Sequence, residues 1–79
     1  NPTTAIRFSL PENANVKLQI FDMTGRLVKT LVAGQVEAGV HTMTWNATDN
    51  AGAPVASGVY LYRIQAGNFV KVNKMTLLK

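Results

Sequence analysis

The sequence contains no cysteine, a single histidine and only four acidic residues among 79. Each scarcity excludes something. Without cysteine there is no disulfide framework and no thiolate metal site, so stability has to come from packing and from sheet hydrogen bonds. No run of about 20 apolar residues is present, which removes a membrane-spanning helix, and no positively charged start leads into an apolar stretch as in a secretory leader. Helix signals are also missing. The best candidate stretch, residues 26–36, carries Thr30, Gly34 and three valines, residues that favour strand and turn.

A chain of this length has room for one core, because so small a domain buries only about 60% of the surface its unfolded form exposes. The 47% apolar content is sufficient for that. The opening Asn1-Pro2-Thr3-Thr4 reads as the edge of a piece cut from a longer polypeptide. Charge is uneven: Arg7, Lys17, Arg26 and Lys29 balance Glu12, Asp22, Glu37 and Asp49, so the net +4 comes from Arg63, Lys71, Lys74 and Lys79. Four spaced bases without an accompanying binding motif make too thin a footprint for nucleic acid.

Apolar residues recur at a period of two, the mark of half-buried strands. Ile6, Phe8 and Leu10 form one row, and Val16, Leu18 and Ile20 a second; across the Glu12-Asn13 turn these two strands are expected to pair as a hairpin. The turn signal Asp22-Met23-Thr24-Gly25 leads to a third strand through Leu27, Val28 and Leu31. His41, Met43 and Trp45 share a face of the fourth, which ends in the turn formers of residues 49–54. Tyr60, Tyr62 and Ile64 define the fifth. In the last strand the apolar residues change parity between Val72 and Met75, which predicts a bulge near Asn73. Six strands and one further short one, near Val36 or Val55, predict an all-β, Ig-like antiparallel sandwich of about seven strands. Its expected structural core includes Phe8, Ile20, Trp45, Tyr60 and Leu77.

The raw material for chemistry is sparse. His41 has no nearby acid, serine or second histidine to orient it as a general base, and reads as a strand-end residue beside the core. Asp22 and Asp49 sit in turns, where a carboxylate caps backbone N–H groups more readily than it assembles the six to eight oxygens that calcium takes. Trp45 shares parity with Met43, which favours a core position over an exposed sugar-stacking platform. Tyr60, at the head of a late strand, fits a tyrosine corner, its hydroxyl bonded back to the chain. No catalytic residue, metal site or cofactor is expected.

Five segments in order carry a family resemblance: residues 1–11, residues 20–28 around Asp22-Met23-Thr24-Gly25-Arg26, residues 38–45 ending at Trp45, residues 56–64 around Gly58-Val59-Tyr60, and the closing Lys74-Met75-Thr76-Leu77-Leu78-Lys79. Together they resemble the C-terminal sorting domains of type IX (Por) secretion. That resemblance implies that residues 1–79 form a single sorting domain at the end of a longer secreted protein. It implies transit through the periplasm to the medium or cell surface, a covalently linked upstream cargo domain, and recognition by the export machinery and a surface sortase. It makes Gly25, Arg26, Lys74 and Lys79 the recognition residues, on a monomer that neither inserts in a membrane nor binds nucleic acid. The Ig-like domain of the flagellar hook-capping protein is similar through the Gly25-Arg26 turn, Trp45 and Gly58-Val59-Tyr60. The final basic strand is what favours the sorting family, on the expectation that the hook-cap domain finishes near residues 60–64. The remaining alternative is an Ig-like spacer or carbohydrate-binding accessory module of a secreted enzyme.

Overall fold

A computed structural model describes residues 3–78. Six strands follow in order: β1 (Thr4–Leu10), β2 (Ala14–Asp22), β3 (Leu27–Val36), β4 (Gly39–Trp45), β5 (Gly58–Ala66) and β6 (Phe69–Leu77), with no helix among the described residues. An isolated bridge between Thr48 and Pro54 adds one further extended contact. All neighbouring strands are antiparallel, in a two-stranded sheet β1-β4 and a four-stranded sheet β3-β2-β5-β6. The architecture is an all-β, Ig-like sandwich.

The core follows from the alternation. Ile6 and Leu10 of β1 and Trp45 of β4 meet Val16, Leu18 and Ile20 of β2, Tyr60 and Ile64 of β5 and Leu77 of β6. Trp45, Leu18 and Ile20 have no exposed surface. The Trp45 and Tyr60 rings meet edge to face with centroids 5.1 Å apart, a geometry that suits the opposite charge of ring edge and ring face. Both polar tips are satisfied: Trp45 Nε1 donates to the Thr48 carbonyl at 2.8 Å, and the Tyr60 hydroxyl donates to the Ala56 carbonyl at 2.6 Å. The second of these is the back-bond of a tyrosine corner. Phe8 is only half-buried, its ring tilted against His41 at 5.5 Å.

Two expectations about pairing are overturned. β1 does not pair with β2; it pairs with β4, from Thr4 opposite Trp45 to Leu10 opposite Gly39, while β2 lies between β3 and β5. Pro11, Glu12 and Asn13 carry the chain from one sheet to the other. They lack the Asn-Gly type of signal that closes a two-residue hairpin, and Asn13 Oδ1 instead accepts the Ala38 N–H at 2.8 Å, tying this crossing to the β3–β4 link. Nor is there a bulge at Asn73. β6 keeps one register with β5 from Phe69 opposite Ala66 to Leu77 opposite Gly58, so Phe69, Lys71, Asn73, Met75 and Leu77 share the inward parity, and Val70 and Val72 point outward. The register shifts lie in the β2–β3 pair, between Leu18 and Gln19 and between Ile20 and Phe21.

Candidate interaction surface

Polar groups that sequence reasoning could assign to chemistry are occupied by the backbone. Asp22 Oδ1 accepts the N–H of Thr24 at 2.9 Å, the Thr24 hydroxyl at 2.6 Å and the N–H of Arg26 at 3.0 Å. These bonds, the Thr24 hydroxyl first and the Arg26 N–H next, hold its carboxyl below the ordinary value of 3.8. Asp49 repeats the arrangement, accepting from Ala51 at 3.0 Å and Ala53 at 2.9 Å. In each turn the glycine three residues on, Gly25 or Gly52, donates back to the aspartate carbonyl at 3.0 Å, and each takes a positive φ, 90° and 85°, which a side chain would resist. The two Asp-x-x-Gly turns are one device used twice. Among the described residues no group of three or more His, Cys, Asp or Glu could hold a metal ion. His41 Nε2 lies 2.7 Å from the Glu37 carbonyl oxygen, an exposed structural bond. Burial of Trp45 removes the sugar-stacking reading.

The surface that remains available is the outer face of the four-stranded sheet. Leu27, Phe21, Leu61 and Lys74 are successive cross-strand partners on β3, β2, β5 and β6, a row of about 14 Å at ordinary strand spacing. Leu27 is 47% exposed and Val72, further along the same face, 51%; Val59 and Val70 are exposed beside them. Bases edge this apolar strip: Arg26 on the turn, with its side chain 85% exposed 3.6 Å from Asp22, Lys74 on β6, and Lys17 and Arg63 on the central strands. Phe21 and Leu61 are half-buried, and exposed apolar residues gathered with them on one sheet face suit protein contact better than scattered ones do. The fold thus brings Gly25 and Arg26 to one border of the face and Lys74 to the other. Lys79 lies outside the described residues. Sequence reasoning missed Phe21, Leu27 and Leu61, whose shared parity across three strands was readable only once the strand order was known.

The family model for the FlgD Ig-like domain matches residues 2–69. The chain belongs to that family. Two relatives are the basal-body rod modification protein FlgD of Salmonella typhimurium, 40% identical over 67 residues, and that of Escherichia coli K12, 36% identical over 67 residues. Each alignment covers 84% of this chain and 29% of the relative, so the chain spans under a third of the length of these proteins. A crystal structure of FlgD from P. aeruginosa is similar with a TM-score of 0.74 and 25% identity, covering 95% of this chain and 59% of that one.

The identification with type IX sorting domains is therefore corrected. With it go the sorting function, the export machinery, surface sortase and upstream cargo as partners, and the secreted or cell-surface destination through the periplasm, which rest on that resemblance alone. The distinguishing criterion fails on the structural comparison: the family match ends at residue 69, where β6 begins, but a likeness covering 95% of the chain extends into β6. The last strand has a structural reason to exist, since Leu77 is buried in the core and Met75 packs against it. A closing strand is needed by any sandwich of this plan and does not report on export.

Proposed function

We propose that the chain is the non-catalytic Ig-like module of a longer, flagellar hook-cap-type protein, and that it serves assembly by packing the outer face of its four-stranded sheet against neighbouring protein. The observation that carries this reading is the FlgD Ig-like match over residues 2–69. The relatives are named for basal-body rod modification, and a module in which both turn carboxylates cap backbone suits support better than catalysis. That residues 1–79 form one domain of a larger protein is part of the same proposal, in keeping with the share of the relatives they span.

The test is a chimera in which these residues replace the matching segment of the Salmonella typhimurium relative, expressed in a strain lacking its own copy. Hooks counted by electron microscopy, with swimming as a second readout, are expected to return. A stable, folded chimera that builds no hooks where the parent protein does would overturn the proposal.

A further inference from the structure

Four strands face two in this sandwich, and the mismatch leaves part of the larger sheet's inner face uncovered. Phe69 and Lys71 have the inward parity of β6, yet Phe69 is 58% exposed and Lys71 is exposed as well. A cleft of about 250 Å³ lies there, floored by inward residues of β5 and β6, among them Tyr62, Ile64 and Phe69. Its wall is β1, and all five consecutive residues from Ile6 to Leu10 line it. Neighbours in a strand point to opposite faces, so lining by both parities means that the backbone edge of β1 borders the cleft. Among the described residues β1 pairs only with β4, on its other side.

The cleft continues past Leu10 and Phe69 into a second hollow at the end of the sandwich. It therefore has the form of a channel along a strand edge. A segment laid in it would hydrogen-bond to β1 and set alternate side chains on the apolar floor. Arg7, exposed on the outward parity of β1, and Lys71, on the inward parity of β6, are the bases of the cleft beside β1, and Glu12 is the acid lining the hollow beyond it. β1 carries Arg7 and no acid, so a second copy pairing through it would add positive charge to the cleft. We propose that this cleft receives an extended segment of a partner protein, alternating apolar and acidic residues, that adds to β1 and makes the small sheet three-stranded. This goes beyond the assembly reading and uses a different surface.

The experiment titrates the chain with two end-capped octapeptides, one alternating valine with glutamate, the other valine with lysine, following amide shifts and hydrogen exchange. The glutamate peptide is expected to shift the Ile6 to Leu10 amides and slow their exchange, and to bind at least about tenfold tighter than the lysine peptide. Arg7→Glu with Lys71→Glu, both at exposed sites, should reverse that preference; Arg7→Gln with Lys71→Gln, the gentler pair, should abolish it. Equal binding of both peptides, no binding, shifts confined to the β6 edge, or occupation of the cleft by a second copy in a concentration-dependent dimer would each overturn the proposal. Loss of hook assembly by the chimera would leave this result untouched, so the two readings fail separately.

Discussion

Trp45 anchors the molecule at the level of single residues, because its ring fills the space between the sheets while its N–H reaches the Thr48 carbonyl. Trp45→Ala should cost about 3–5 kcal/mol, close to the whole stability of a domain this small, at about 5 kcal/mol; urea melts that superimpose with the parent would contradict the packing. Two residues later Ala47 is buried with a φ of 62°, a conformation that β-branched side chains resist. Ala47→Val should therefore destabilise by about 2–4 kcal/mol, combining backbone strain with overpacking, measured in the same melts. Asp22 gives a pH signature. Its folded carboxyl titrates below the ordinary 3.8, so its stabilising effect is complete above that value and fades as pH falls through the folded one. The difference in melting temperature between the parent and Asp22→Ala should shrink as pH is lowered below about 3.8; a gap that stays constant into strong acid would assign Asp22 no ionic part. These roles were partly legible: Trp45 shared a parity with Met43, and Asp22 stood at the first position of a turn. Lys71 was not, since an inward-facing lysine reads as outward until the uncovered end of the sheet is seen.

Alternation told which side of each strand goes inside, but not which strand lies beside it. Ile6 and Leu10 face the core as their period requires, yet β1 belongs to the sheet opposite β2, because the three-residue crossing after Leu10 changes layers. The β2–β3 hairpin was readable from its Asp-x-x-Gly turn. Its two register shifts were not, because only pairing reveals an extra residue. The edge of β3 shows how a loop can stand in for a strand: Asn50 N–H donates to the Val28 carbonyl at 3.0 Å, and Asn50 Oδ1 accepts the Thr30 N–H at 3.0 Å. Lys29 Nζ, 3.1 Å from the Asp49 carbonyl oxygen, holds the same loop down. Covering an edge in this way blocks pairing with foreign strands. Asn50→Ala should cost about 0.5–1.5 kcal/mol and accelerate hydrogen exchange at Thr30 far more than at Leu18. Unchanged exchange at Thr30 would show that the loop does not protect that edge.

For the molecule as a whole, the landmarks on which the overturned type IX resemblance rested are scaffold features: a turn at Gly25 and Arg26, a tryptophan between sheets, and a strand that begins Gly58-Val59-Tyr60. Each serves the sandwich itself, and fold alone does not carry function. The candidate surface was illegible for a related reason, since Leu27, Phe21, Leu61 and Lys74 are separated along the chain and become a row only through the order β3-β2-β5-β6. The proposed contribution of the domain to assembly is this outer face rather than any chemistry. Its most direct test is a photo-crosslinking residue placed in the chimera at Leu61, on that face, or at Thr44, on the outside of the small sheet. Illumination of assembled hooks is expected to give adducts with a neighbouring flagellar subunit from position 61 and not from position 44; equal adducts from both positions, or adducts from 44 alone, would contradict it.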